Sequence, residues 1–230
     1  MNRRMLFGEL ASEFIGSMFL VLAVISPGFL FAYMFDTPTG VTVVATALSV
    51  AFMLFVLIGM FGSISGAHFN PIVTMVMLLD KKITAGKAGL FIIVQIVGGI
   101  TGSAVSHLMF WDEIGSFLSI AEGVRSYAYF CEVTGSFILV LAILMLIKTK
   151  SKHLPMMVGF LVGGQLMATS STMFANPQVT IARMLSNTIA GNRAMDALMF
   201  IAMQITGALL AYLVYSLAFK KLELGGENAE

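Results

Sequence analysis

Two asparagine–proline pairs carry the side chains best placed for chemistry in this chain. Asn70 and Asn176 are each followed by proline, one variable residue, valine and threonine. Asparagine is a preferred N-cap and proline is tolerated at the first helical position, so Pro71 and Pro177 each mark a helix start. An N-cap asparagine accepts a backbone N–H through its side-chain oxygen, which leaves its NH₂ group as a donor. Two such donors facing each other can hold the oxygen of a neutral compound.

The same two helix starts also predict an electrostatic barrier. Each helix N-terminus carries roughly half a positive charge from its backbone dipole. A cation or proton placed between two such ends meets a positive potential, whereas a neutral hydroxyl compound does not. The pair therefore favours uncharged polar molecules over ions.

Composition places these residues in a membrane. Hydrophobic residues make up 58% of the chain and charged residues 11%, against about 25% charged in soluble domains. A net charge of +1 argues against a nucleic-acid partner or an acidic substrate. The three histidines show no metal-ligand spacing, and no phosphate loop, nucleophile elbow or carboxylate pair is present, so we expect no enzyme, cofactor or metal.

Six stretches are long and apolar enough to span a bilayer, which needs about 20 such residues. The uncharged runs at 37–79 and 154–182 are each longer than one membrane-spanning helix needs. The additional residues of each run include one Asn-Pro pair. Half-length segments at membrane depth are tolerated where protein or a watery cavity surrounds them. We predict an all-α membrane protein with six transmembrane helices and two re-entrant half-helices; the spans run approximately over 7–34, 41–62, 88–110, 127–147, 154–173 and 197–219.

An internal repeat relates the two halves of the chain. The eleven residues from Glu13 match the eleven from Glu132 at Glu, Gly, Ser, Leu, Val, Leu and Ala. Three spans per half invert the second copy relative to the first, which places a shared site near the bilayer midplane. We expect one channel domain over 1–222, with repeats at about 1–112 and 125–222, and a polar tail at 223–230.

Basic residues predict the orientation. With both termini in the cytoplasm, ten lysines and arginines fall inside and only Arg125 and Arg193 fall in outer loops. This bias follows the positive-inside rule. We therefore expect a multi-pass protein of the plasma or inner membrane, with cytoplasmic N- and C-termini.

These features together resemble the major intrinsic protein family, the aquaporins and aquaglyceroporins, over essentially the whole chain. The resemblance rests on the run from Ser65 to Pro71, on the second Asn-Pro pair, and on Glu13 and Glu132. It implies a passive channel for water and small uncharged solutes, such as glycerol, urea or arsenite, in a homotetramer with one pore per subunit.

The chain departs from the family pattern at both motifs. The usual triplet is Asn-Pro-Ala, but here the third residues are Ile72 and Gln178. Ile72 adds bulk beside its asparagine, and Gln178 adds a polar amide near the midplane. Either change is expected to alter the central constriction.

The outer selectivity filter departs as well. Familiar members carry an arginine three residues after the second asparagine, where this chain has Val179. Arg183 lies seven residues after Asn176 and returns to nearly the same helix face, about 10 Å along the axis instead of about 4.5 Å. Arg183 either reaches back into the pore or sits higher in the outer vestibule.

The remaining filter positions follow by counting back from the asparagines. The second span contributes Val50, with Phe52 as the alternative, and the fifth contributes Gly164. Met173 lies in the loop before the second half-helix. His68 presents either its ring or its carbonyl to the lower pore, or packs within its loop. Val50, Gly164 and Val179 together are expected to form a constriction that is wider and less polar than a strict water filter.

Glu13 and Glu132 each lie one turn into a span. A lone carboxylate in lipid costs several kcal/mol, so both must face protein. The resemblance implies that they accept hydrogen bonds from the re-entrant loops, which we prefer to a proton-relay role. Gln95 and Gln204 are expected to brace the helix bundle.

Two alternatives remain open on the same fold. An ion-conducting channel is suggested by Val179, which removes a fixed positive charge from the narrow filter. A proton-coupled transporter is suggested by the intramembrane Glu13 and Glu132. Both alternatives keep the predicted inverted-repeat fold in the lipid bilayer.

Overall fold

The computed structural model describes residues 3–111, 123–124 and 126–223, in which helices are joined by turns and loops and no strand occurs. The all-α prediction is confirmed. The predicted boundary between the repeats and the tail at 223–230 fall mainly outside the described residues. The helices are α1 (Arg3–Pro27, continued by a π-helical segment Gly28–Met34), α2 (Thr39–Phe61), α3 (Pro71–Leu79), α4 (Ala85–Met109), α5 (Tyr127–Lys148), α6 (Leu154–Ala168), α7 (Pro177–Arg183) and α8 (Ala194–Val214, continued by a π-helical segment Tyr215–Phe219).

Five of the six predicted spans are long and apolar enough to cross a membrane. The exception is α6, which ends at Ala168 instead of the predicted residue 173 and contains 15 residues. At 1.5 Å per residue it rises about 22 Å, less than the roughly 30 Å hydrocarbon core. Ser170, Ser171 and Thr172 follow in a non-helical loop, because this stretch belongs to the approach to α7.

The two half-helices α3 and α7 point toward opposite ends of α8. Near the C-terminal end of α8, Tyr212 donates through its hydroxyl to the carbonyl of Leu79, and Lys220 binds Asp80 at 2.5 Å. At the other end, the backbone N–H of Asn192 donates to the carbonyl of Arg183. Since α8 crosses the whole bundle, the half-helices run in opposite directions, as an inverted repeat requires.

Glycines at matched positions bring the long helices of each repeat together. A Cβ atom added to Gly98 of α4 would collide with the carbonyl of Phe14 in α1, and one added to Gly207 of α8 would collide with the carbonyl of Val133 in α5. Small residues let membrane helices approach this closely. The α1–α4 and α5–α8 pairs are therefore equivalent in the two repeats, and the two half-helices pack against them.

Candidate functional site

The two asparagines meet where the half-helices begin. The side-chain oxygen of Asn70 accepts from the N–H of Ile72 at 3.1 Å, and that of Asn176 accepts from the N–H of Gln178 at 3.2 Å. Each is the N-cap that the sequence predicts.

The amide nitrogens cross between the repeats. Asn70 donates through Nδ2 to the carbonyl of Ala175, and Asn176 donates to the carbonyl of Phe69, both at 2.8 Å. The expectation that each NH₂ group is wholly available is therefore corrected, because one of its two N–H bonds fixes the opposite loop. The second N–H of each amide is the one that remains for a passing oxygen.

Both loops reach their asparagine through left-handed backbone. Phe69 has φ 45° and Ala175 has φ 43°, and Ala67 and Met173 two residues earlier are also left-handed. A non-glycine residue in this region is strained by of order 1–3 kcal/mol and persists only when its surroundings hold it. The loops therefore need external support.

Glu13 provides that support for the first loop. Its Oε1 accepts from the hydroxyl of Ser65 at 2.6 Å and from the N–H of His68 at 3.0 Å. Its Oε2 accepts from the N–H of Phe69 and from Nε2 of Gln95, both at 2.8 Å. Four donors thus satisfy a carboxylate that has no exposed surface.

Glu132 repeats this arrangement in the second loop. It accepts from Ser171 at 2.6 Å, from the N–H groups of Phe174 and Ala175 at 3.0 and 2.8 Å, and from Gln204 at 2.7 Å. Gln95 and Gln204 each also donate to a half-helix threonine at 2.9 Å. Each glutamate–glutamine pair joins a span, a loop and a half-helix.

A cavity of about 730 Å³ passes the two asparagines. Lys82 and Lys87 line one end, which we call the lysine end, and Arg183 lines the other, the arginine end. Among the described lining residues the charged side chains are these three bases, and none is acidic. Lys87 pairs with Glu9 at 2.8 Å, so Lys82 and Arg183 supply the wall charge that adds to the positive ends of α3 and α7.

Most of the residues assigned to the pore line this cavity. Val50, Val179 and Met173 do so together with both asparagines. His68 also lines it, while its Nδ1 lies 3.0 Å from Thr74 Oγ1 and its ring packs edge-on against Phe91. His68 is thus both a wall residue and a packed loop residue.

The assignment of Gly164 to the pore is wrong. Gly164 is exposed, and a Cβ added to it would meet no atom within 4 Å. After its first turn, which contributes Leu154 and Pro155, α6 lines the cavity with residues spaced by four, at Val158, Val162 and Leu166. Gly164 is two residues from Val162, about 200° around the helix. Counting back from Asn176 failed because it presumed a loop length between α6 and α7.

Ile72 and Gln178 also lie outside the cavity lining. Ile72 is buried in an apolar cluster with Val140 and Ala208. Gln178 donates to the carbonyl of Phe69 at 3.3 Å, and its amide oxygen occupies the space that Gly99 leaves by lacking a Cβ. Both side chains point behind the half-helices, so the atypical triplets change packing instead of the pore wall.

Arg183 occupies the end of the cavity opposite the lysines. It is 6% exposed, its Nε donates to the carbonyl of Ala190, and its guanidinium carbon lies 3.4 Å from the centroid of the Phe174 ring. No carboxylate among the described residues forms an ion pair with it. The charge is therefore held by a carbonyl and an aromatic face.

Sequence reasoning missed Phe174 and Leu166, which both line the arginine end. The signal for Phe174 was its position two residues before Asn176, where the first repeat has His68. The spacing of Leu166 from Val162 and Val158 was a second signal, since residues four apart share a helix face.

Comparison with known proteins gives a consistent result. The family model described as "Major intrinsic protein" matches residues 1–175. The aquaglyceroporin AqpS of Rhizobium meliloti is 33% identical over 200 residues, covering 87% of this chain and 85% of the relative. Aquaporin-1 of Bos taurus is 29% identical over 229 residues, covering 93% and 83%.

The fold is also similar to a solved structure. The X-ray structure of the aquaglyceroporin from Plasmodium falciparum aligns with a TM-score of 0.73, covering 93% of this chain and 96% of that one. At 18% identity this likeness establishes the fold alone.

Proposed function

The chain belongs to the major intrinsic protein family, and from this premise we propose that its cavity passes glycerol, urea or arsenite-like neutral hydroxides as well as water. As a member of this family it is an integral membrane protein and a passive channel for water and small uncharged solutes. One observation carries the proposal: two half-helix N-termini, joined by reciprocal asparagine–carbonyl bonds, meet on the wall of one cavity.

Apolar walls support the choice of solute. Val50, Val179 and Leu166 line the cavity where it passes from the asparagines toward Arg183. These side chains offer no hydrogen bonds, so the carbon face of a polyol loses little when it contacts them. The asparagine amides and the loop carbonyls supply polar contacts along the other side. A path with one polar and one apolar side suits small hydroxyl compounds.

The charges of the site argue against the ion-conducting alternative. The described lining carries Lys82, Lys87 and Arg183 and no acid, and the two helix ends add positive potential. The proton-coupled alternative requires an accessible carboxylate. Glu13 and Glu132 have no exposed surface and are each bonded to four donors. This arrangement supports a structural role.

Flux measurements on proteoliposomes test the proposal. In stopped-flow light scattering, we expect vesicles containing the protein to shrink faster than empty ones under an impermeant osmolyte. We expect them to re-swell faster when the osmolyte is glycerol or urea. Shrinkage and re-swelling at the rates of empty liposomes would refute the proposal. A current in planar bilayers at any voltage would favour ion conduction.

Replacing Arg183 by methionine tests the electrostatic barrier. Methionine is the residue at the equivalent position of the first repeat, Met77, which also lines the cavity. Losing one unit charge lowers the barrier to a cation by about 1–4 kcal/mol, so potassium permeability should rise about fivefold or more. A potassium-flux assay with a fluorescent reporter measures this change. Unchanged potassium flux with normal water flux would show that Arg183 contributes nothing to ion exclusion.

Location and assembly complete the proposal. The distribution of basic residues supports a plasma or inner membrane location with both termini, and hence the lysine end of the cavity, in the cytoplasm. Family membership supports a homotetramer with one cavity per subunit. A single channel domain over 1–222, built from repeats at about 1–112 and 125–222, accounts for the matched contacts of the two halves.

A further inference from the structure

We infer that Phe174 is a positioning residue for Arg183, and that its ring holds the guanidinium where it controls which molecules pass. This inference rests on the proposed function of the cavity. It concerns a residue outside both Asn-Pro motifs, and it assigns a role to the aromatic cluster behind the arginine end.

Arg183 depends on few contacts for its position. The guanidinium carbon lies 3.4 Å from the Phe174 ring centroid, and Nε of the side chain donates to the carbonyl of Ala190. The carboxylate of Glu132 directs its four hydrogen bonds at the second re-entrant loop and Gln204, not at Arg183. A desolvated guanidinium over a ring face is a favourable cation–π geometry. The ring therefore sets the plane of the guanidinium.

The ring is itself fixed from behind. Phe200 packs edge-on against Phe174, with ring centroids 4.9 Å apart and planes at 82°. Tyr129 packs edge-on against Phe200 at 5.7 Å, and its hydroxyl donates to Asp196 at 2.7 Å. Asp196 is fully buried. The aromatic series thus runs from the cavity to a buried carboxylate.

Asp196 anchors the far end of this series. It accepts from Nε of Arg193 at 2.7 Å and from the backbone N–H of Val124 at 3.3 Å. The same carboxylate therefore ties α8, α5 and the segment before α5 together. Because these elements surround the arginine end, the Phe174 ring has little freedom to turn.

The first repeat shows that this series is specific to the arginine end. His68 replaces Phe174 there, Phe91 replaces Phe200, and Met77 replaces Arg183. His68 packs edge-on against Phe91 at 5.5 Å, but it has no arginine to support. Both repeats thus combine this aromatic pair with a cation, but at different rings. Arg183 lies over the loop residue Phe174, whereas Lys87 lies 5.2 Å from the centroid of the helix residue Phe91.

A variant series tests the inference. We expect Phe174→Leu, which fills the site without a ring face, to change the glycerol-to-water permeability ratio by about threefold or more and to raise potassium leak. Phe174→Tyr keeps the ring and should preserve both values. Phe29→Leu is the matched control, because it removes a buried ring that does not line the cavity.

A double-mutant cycle asks whether Phe174 acts through Arg183. In an Arg183→Met background, Phe174→Leu should produce no further change in the permeability ratio, since the partner is gone. Unchanged selectivity in Phe174→Leu, or the same change in both backgrounds, would overturn the inference. A wild-type protein without flux would instead refute the proposed function.

Folding failure is separated from the proposed role by a second variant. Phe174→His installs the residue that the equivalent loop of the first repeat already accommodates, so it should insert and purify normally. A histidine ring offers a smaller face to the guanidinium, and we expect a selectivity change in the same direction as for Phe174→Leu. Wild-type selectivity in Phe174→His and Phe174→Leu alike contradicts a positioning role.

Discussion

Replacing Glu13 by glutamine should prevent the first re-entrant loop from holding its shape. The carboxylate accepts four hydrogen bonds, two of them from the backbone around left-handed Phe69. A glutamine keeps one acceptor oxygen and presents an NH₂ group to donors. Losing two charge-assisted bonds in a buried site costs about 3–5 kcal/mol, a large part of the stability of most proteins. Thermal unfolding in detergent, followed by the monodisperse fraction, measures the loss.

The chain contains both a matched repeat and a matched control for this experiment. Glu132→Gln should destabilise the protein by a similar amount, because Glu132 makes the same set of contacts. Glu9→Gln removes a carboxylate one turn earlier in α1 that pairs with Lys87 at 2.8 Å, and it should cost far less. Equal destabilisation by all three substitutions would show that the loops do not depend on these glutamates.

Introducing arginine at Val179 should nearly close the cavity to solutes larger than water. Val179 lines the cavity and is 4% exposed, so a longer side chain there must project into the path. It also lies one turn before Arg183, which places two buried cations side by side. We expect glycerol permeability to fall at least tenfold, since about 1.4 kcal/mol of added barrier is enough. Stopped-flow re-swelling in glycerol measures this.

Val179→Gln separates bulk from charge. Glutamine is long but neutral, so it should reduce glycerol flux while leaving Arg183 undisturbed. If arginine and glutamine reduce flux equally, size alone sets the limit at this position. Glycerol flux at the wild-type rate in both variants would contradict the placement of Val179 on the permeation path.

Much of the fold could be predicted from the sequence, because neighbouring residues determine where its half-helices begin. Asn70 and Asn176 cap helices through their own first turns, and proline fixes each start, so the half-helices follow from a few adjacent residues. The expectation that Glu13 and Glu132 face protein followed from the cost of placing a carboxylate in lipid.

Which residues face the cavity was harder to predict, because it depends on how each loop joins its two helices. Val50 and Gly164 were both reached by counting back across a non-helical loop, and only Val50 lines the cavity. The left-handed backbone of Phe69 and Ala175 also has no local signature, since neither residue prefers that region. Their conformation is imposed by distant glutamates.

The contacts at the end of α8 set an order of events during synthesis. Lys220 binds Asp80 across 140 positions of the chain, and Tyr212 bonds to Leu79 across 133. The half-helix α3 is therefore made early but receives these two contacts only after nearly the whole polypeptide has left the ribosome. Until then, the C-terminal end of α3 lacks both of these contacts. A chain truncated before Tyr212 would retain every residue of the first repeat and still lack both contacts that α8 and the residues after it make with the end of α3.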